Sequence, residues 1–218
     1  MPDGYTPSER TRVKRLHQRG HYDHETVHAV IDAATFCHVG YVIDGQPYVT
    51  PTLHWRVGTR LYWHGSSASR MLRTVKEGVP ACVTVALMDG LVLARSGFHC
   101  SVNYRSAMAF GMAHAITDEA EKVDVLEEFV EGIVPGHWAE MRPPNAQEIK
   151  ATTVVGMAID EASAKIRTGP PADDEADYAL PCWAGVIPVT QTVGAPVPDP
   201  RLTPGIAPPD YLARFRVG

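Results

Sequence analysis

Ser66, Ser67, Ser69 and Arg70 follow the aromatic run Leu61-Tyr62-Trp63-His64 across a single glycine, and Arg73 lies one turn further on. This grouping suits a phosphate. Hydroxyls donate to its oxygens, a guanidinium can grip two of them at once, and a turn that opens a helix leaves backbone N–H groups unpaired. An ordinary hairpin leading into a serine-capped helix would use the same residues. A second polar cluster, Arg95-Ser96 with Asn103-Tyr104-Arg105-Ser106, offers further donors for an anion, although surface arginines are common.

Two other segments fit a flat ring. Tyr48 to Trp55 reads as a strand interrupted by Pro51, and a proline there breaks the ladder locally. Backbone groups around Thr50, Thr52 and Leu53 are then left for the polar edge of a ring, or the segment is simply a sheet edge. Trp183 could stack on such a ring or fill core space.

His24-Glu25-Thr26-Val27-His28 spells the H-E-x-x-H pattern of zinc proteases. Its extended form needs Gly and His where Ile31 and Ala34 stand, and the pentapeptide lies in the first turns of its helix, so no metal is expected. Cys37, Cys82, Cys100 and Cys182 are widely spaced and read as reduced, mostly buried thiols. Serine-hydrolase elbow, P-loop and dinucleotide-fold fingerprint are all missing from the sequence. Donors without a catalytic pair match a protein whose chemistry is carried by a cofactor.

The elements that would position these residues follow from periodicity and turn signals. Asp23 caps a helix with Val27, Val30, Ile31 and Ala34 on one face. Strands are expected at Phe36–Ile43, Pro47–Val57, Leu61–His64, Ala81–Leu87, Leu91–Arg95, Tyr104–Ile116, Val154–Ile159, Ala164–Arg167 and Cys182–Val189. Asp44-Gly45 and Asp89-Gly90 read as hairpins, and Gly111 as a bulge or close backbone approach. Helices are expected near 67–76, from Asp118 with a stripe of Val123, Leu126, Val130 and Ile133, and over 146–151. The pattern predicts a mainly β protein with peripheral helices (α+β), a small barrel. Residues 1–22 form an arm, 23–190 the barrel domain and 191–218 a proline-rich tail.

Twenty Lys and Arg against 25 Asp and Glu give a net charge of −5, which disfavours a general nucleic-acid or membrane binder. With no signal-peptide core and no spanning run, a soluble, cytoplasmic protein is expected. The basic residues Arg10, Arg12, Lys14, Arg15 and Arg19 read as a solvated arm.

As a set, RGHYDHETVHAVID, GQPYVTPTLHW, LYWHGSSASRML, DGLVLARSGFHCSVNYRSAMAFG, VPGHW and IRTGPPADDEADYALPCWAGVIPV resemble the FMN-binding split-barrel family, the pyridoxamine 5'-phosphate oxidase-like proteins. The likeness runs from about Arg19 to Val189 and is strongest to the flavin-nucleotide-binding branch related to nitroimidazole-resistance proteins. It implies a split β-barrel homodimer with FMN at the subunit interface. Thr50, Pro51, Thr52 and Leu53 would lie along the isoalloxazine ring. His64, Ser69 and Arg70, with Ser66 beside them, would sit at the ribityl-phosphate end. Asn103, Tyr104, Arg105 and Ser106 would line the pocket near Arg95, and Trp183 would arrive from the partner chain. His64 is the nearby group for proton transfer.

The resemblance implies a flavin-dependent oxidoreductase acting on a small electron-accepting substrate. Alternatives are an F420-dependent reductase of the same fold, whose acidic cofactor tail the N-terminal arginines could hold, or a non-catalytic flavin or haem binder. Pyridoxamine 5'-phosphate oxidation is not expected: His54-Trp55 replaces a basic residue, Met71 follows Ser69-Arg70, and the C-terminal Arg and Trp motif is missing.

Overall fold

Asp23 accepts a hydrogen bond from the Thr26 N–H at 2.7 Å and starts α1 (His24–Ala33), whose Val27, Val30 and Ile31 are buried. The structure is a computed structural model that describes residues 3–75 and 78–216. Lys76, the expected end of the second helix, and the last two residues of the tail lie outside them. Its strands are β1 (Gly20–His21), β2 (Phe36–Ile43), β3 (Gln46–Val57), β4 (Arg60–Ser66), β5 (Val79–Leu93), β6 (Ser101–Ala115), β7 (Thr152–Ala158), β8 (Glu161–Arg167) and β9 (Gly185–Pro188). The remaining helices are α2 (Arg70–Thr74), α3 (Glu119–Ile133) and α4 (Ala146–Ala151).

All strand pairings are antiparallel. The order β1-β8-β6-β7-β4-β3-β2-β5-β9, with β5 also pairing β6, closes β6, β7, β4, β3, β2 and β5 into a ring. The ring is a small barrel with helices outside, as the pattern predicts, and of the split form that the resemblance implies. Alternation along β2 sends Cys37, Val39 and Tyr41 inward, where they meet α1 and the fully buried Trp63 and Leu61 of β4. The opposite side of β4 carries Tyr62 toward a second cluster with Trp55, Ile116, Val125 and Val154, against which Leu126 and Phe129 pack.

Asp44 and Gly45 both take positive φ, 51° and 76°, the geometry of a tight hairpin turn. Asp89-Gly90 is different. β5 runs unbroken from Val79 to Leu93, and neither residue has positive φ; the register shift between Met88 and Gly90 marks a bulge. Gly90 lies beside β9, where a Cβ would fit tightly, 3.0 Å from the Ile187 carbonyl oxygen. Gly111 is a close approach, where a Cβ would overlap the Ala158 carbonyl oxygen.

Three further expectations are corrected. The second helix is a single short turn, Arg70–Thr74, since Ser66 to Ser69 fold into a turn closed by Ser69 N–H donating to the Ser66 carbonyl at 2.8 Å. The inward face of α3 holds Val125, Leu126 and Phe129, so the expected stripe is met at Leu126 and shifted one step round elsewhere. The N-terminal stretch is docked on the barrel: Tyr5 and Thr11 are buried, Gly4 bridges Asp23, and β1 pairs β8. The tail lies along the surface, where the Tyr211 hydroxyl meets Glu140 at 2.7 Å and His137 at 2.9 Å. Among the described residues, no helix is long and apolar enough to cross a membrane.

Candidate cofactor site

The two edges of β3 are not equivalent. From Gln46, opposite Ile43, to Leu53, opposite Phe36, β3 pairs β2, with Thr50 opposite Val39 and Pro51 opposite His38. On its other edge it pairs β4 only from His54 to Val57. Residues 46–53 therefore present an open edge, and among the described residues no other backbone hydrogen bond reaches it. This is the split in the barrel. The two-residue turn at Asp44-Gly45 sets the alternation: Gln46, Tyr48, Thr50 and Thr52 turn their backbone groups to β2, so the open edge offers the N–H groups of Val49 and Leu53 and the carbonyls of Pro47, Val49, Pro51 and Leu53.

Side chains on this stretch form one wall. Tyr41 and Tyr48 stack with ring centres 5.7 Å apart, and the Tyr41 and Thr50 hydroxyls meet at 3.0 Å. The Arg70 guanidinium lies 5.3 Å from the centre of the Tyr48 ring. Arg70 is exposed and has no carboxylate partner among the described residues. The strand expected along a ring and the arginine expected at a phosphate are thus brought to one corner. Ser69 precedes α2 without capping it through its side chain, which leaves its hydroxyl uncommitted, whereas the Ser66 hydroxyl accepts from Ala68 N–H at 3.3 Å. Tyr41 and Tyr48 were missed as site residues; their same-face spacing with Thr50 on paired strands is the signal that would have found them.

The second polar cluster is largely committed to internal partners. Arg105 makes a forked pair with Asp89, with Nη2 at 2.8 Å. Arg95 holds Asp173 through its side chain at 3.0 Å and its backbone N–H at 2.9 Å. Asn103 donates to the Gly169 carbonyl at 3.1 Å and accepts from Arg167, and the Ser106 hydroxyl donates to the Lys165 carbonyl at 3.2 Å. These contacts pin the loop after β8. Ser96 keeps a buried hydroxyl without a partner. Tyr104 sits on β6 opposite Arg167. Trp183 is 68% exposed and stands clear of the core.

His64 lies apart from Arg70's wall, on the α3 side of β4. Its ring is 4.8 Å from that of Phe129 and 5.8 Å from that of Trp55. Burial alone pushes its pKa down, and its Nδ1 has no partner. His54, also buried, donates from Nε2 to the Ile31 carbonyl at 3.0 Å, which leaves Nδ1 bare; burial lowers its pKa, against a smaller opposing pull from that carbonyl. His54 lines a cavity of about 330 Å³ with Phe129, Ile133, Phe215 and Arg216.

The pair in the H-E-x-x-H segment stacks face to face at 5.2 Å against Tyr5, whose hydroxyl meets His28 Nε2 at 2.8 Å, with Glu25 exposed. Among the described residues no group of three metal-type ligands gathers. All four cysteines are free, but only Cys37 is buried; Cys100 and Cys182 are exposed, contrary to expectation.

A stability prediction follows from the histidines. His28, His54 and His64 all have folded-state pKa values below the ordinary value, each chiefly through burial. Below about pH 6.5 the unfolded chain takes up protons that the folded chain resists, so stability is full above that value and declines as pH falls through the folded-state values. Thermal unfolding followed from about pH 7.5 down to pH 5 should show a falling Tm, and His64→Gln should flatten the decline.

A profile of the pyridoxamine 5'-phosphate oxidase family matches residues 23–166. Among solved structures, the flavocytochrome Anf3 from Azotobacter vinelandii is 50% identical with a TM-score of 0.93, over 98% of this chain and 100% of that one. The FAD and haem binding protein from Mycobacterium smegmatis is 36% identical with a TM-score of 0.86, over 90% of this chain and 97% of that one. A protein from Bacteroides thetaiotaomicron described as a 5-nitroimidazole antibiotic resistance protein is 22% identical, with a TM-score of 0.56 over 66% of this chain and 84% of that one, a likeness of fold alone. No curated protein matches the chain.

Proposed function

Because the chain belongs to the pyridoxamine 5'-phosphate oxidase family, we propose that it is a redox protein that binds a flavin along the open edge of β3 and a haem elsewhere in the same fold. The observation that carries the flavin site is the unpaired stretch 46–53 of β3 beside Arg70. The haem rests on the flavocytochrome and on the FAD and haem binding protein, which match this chain over nearly their whole lengths.

The chain's own groups fit both. A bound flavin supplies one- and two-electron redox chemistry. Backbone donors at Val49 and Leu53, on either side of Thr50, Pro51 and Thr52, orient a ring with polar edges, Tyr41 and Tyr48 back that strand, and Ser69 with Arg70 takes a phosphate. Haem iron takes a neutral imidazole. Burial favours neutral His54 and His64, each with Nδ1 unpartnered, and either would supply that ligand to a bound haem. In this reading His64 serves as a ligand or holds a proton, and it does so away from the phosphate corner. FMN and FAD share the part of the molecule that this corner would hold; F420 is the weaker alternative, since the relatives at 50% and 36% identity are a flavocytochrome and an FAD and haem binder. The reaction is oxidoreduction of a small electron acceptor.

A homodimer is part of the proposal. Phe36, Val42, Val49 and Met88 point the same way from neighbouring strands and are 49% to 66% exposed. A second copy covers such a face, and Trp183 is free to reach it. The unpaired cysteines fit a reducing, cytoplasmic setting.

The absorption spectrum of the purified protein tests the reading. Flavin bands together with a haem Soret band are expected, with the flavin identified by chromatography after release. His54→Ala and His64→Ala should separate the haem ligand, since only one of them removes the Soret band while leaving flavin in place. A protein that takes up neither group on reconstitution would refute the proposal.

A further inference from the structure

The arm is charged against the sign of the whole molecule. Residues 10–15 lie over the outward side of β6 and β8 and enclose a hollow of about 240 Å³. Its lining holds Arg10, Arg12, Lys14, Arg15 and Lys165, with Ser106 and Ser163 on the floor, and no carboxylate, in a chain of net charge −5. Arg10 is paired with Glu161 and Lys14 with Glu9, whereas Arg12, Arg15 and Lys165 have no ion-pair partner among the described residues. The arm is fixed in place. Glu161 also accepts from the Ser8 hydroxyl, the Ser8 N–H donates to Thr11 Oγ1 at 2.9 Å, and the Val13 N–H donates to the Tyr22 hydroxyl at 2.8 Å.

The same outward face continues along the strand pair. Met108 is opposite Ser163, Ser106 opposite Lys165, and Tyr104 opposite Arg167. Two steps of two residues each make a stripe of about 13 Å. At its far end Arg167 is only 7% exposed, and its acceptors are all neutral: the Asn103 side chain and the carbonyls of Gly169 and Pro170. Its Nε is buried without any partner, and burial with the nearby Arg19 pushes its pKa down. A buried guanidinium without a carboxylate, at the end of a basic stripe, marks a place where an anion is due.

We propose that this groove between the N-terminal arm and the outer face of β6 and β8 binds the adenosine diphosphate moiety of a dinucleotide. The hollow is smaller than the roughly 300–1,000 Å³ of sites that engulf a drug-sized ligand, so it takes the charged segment and leaves the rest outside. Arg12, Arg15 and Lys165 grip the diphosphate, and Tyr104 offers a ring face for adenine beside Arg167. The inference rests on the redox reading above: a pyridine dinucleotide that reduces the bound flavin carries this moiety, whereas an FAD seated at Arg70 has its own diphosphate there.

Titration of the cofactor-loaded protein with ADP, alongside its flavin content, tests this. The comparison is wild type against Arg12→Ala/Arg15→Ala and Lys165→Met, with Arg12→Lys/Arg15→Lys as the control that keeps the charge and the fold. ADP binds saturably, competes with the pyridine dinucleotide, and weakens at least about tenfold in the alanine and methionine variants with flavin content unchanged. The lysine variant stays near wild type and the effect shrinks with salt. Equal ADP affinity in all variants would overturn the proposal, and so would loss of FAD from the alanine and methionine variants with added FMN retained, which would make the groove the seat of the flavin's own adenylate. The flavin and haem bands report the redox reading separately, so its failure is seen as their loss and not as a change in ADP binding.

Discussion

Arg70→Ala lowers flavin affinity about ten- to a hundredfold. Arg70 is exposed, faces the stacked pair of Tyr41 and Tyr48, and has no carboxylate to satisfy it among the described residues. A charge-assisted contact from such a group to phosphate contributes roughly 1.5–3 kcal/mol, which converts to that range of affinity. The fold should be untouched, since Arg70 contributes little buried surface. Arg70→Lys keeps the charge but loses the fork, so its affinity should fall between the two. Fluorescence titration of flavin onto the apoprotein measures all three. Unchanged affinity in Arg70→Ala would place the phosphate at another corner.

Gly111→Ala destabilises the barrel by about 3 kcal/mol or more. Gly111 lies on β6 opposite Ala81 of β5, where the end of β7 crosses. A Cβ there overlaps the Ala158 carbonyl oxygen and approaches Met157 Cγ to 2.9 Å and the Ala158 carbonyl carbon to 3.3 Å. The obstacle is backbone, so no rotamer change relieves it, and β6 or β7 must move. β6 and β7 share only the pairs at Ala113, His114 and Ala115, so the short ladder that closes the ring on this side is what the shift would break. Urea unfolding gives the difference in stability. A loss under about 1 kcal/mol would show that the two strands part easily at this point.

What the sequence made legible was local. The bounds of β2, the Asp44-Gly45 turn, the caps Asp23 and Asp118, and the need for glycine at 111 all follow from residue types within a few positions of one another. Pro51 marked the strand whose outer edge is open, by the simpler of the two readings: the ladder to β2 runs unbroken through it, and it stands on the side that has no neighbouring strand. The failures were long-range. Asp89-Gly90 has hairpin chemistry, yet β6 on one edge and β9 on the other hold β5 straight through it and turn it into a bulge. Arg95 and Arg105 read as free donors because Asp173 and Asp89, which hold them, are brought near only by the fold. His64 shares a segment with Arg70, but alternation along β4 turns it toward α3. Arg167, the most buried of the polar stripe's cations, gave no local sign at all.

The central claim is that flavin lies along the open edge of β3, and hydrogen exchange of the backbone amides in this strand tests it most directly. On flavin binding, exchange should slow at Val49 and Leu53, whose N–H groups face the open edge, and at the turn from Ser66 to Arg70, with little change at Thr50 and Thr52, which face β2, or where β3 is paired with β4, from His54 to Val57. Flavin binding that leaves the 46–53 stretch exchanging as fast as in the apoprotein, with protection arising elsewhere, would contradict it.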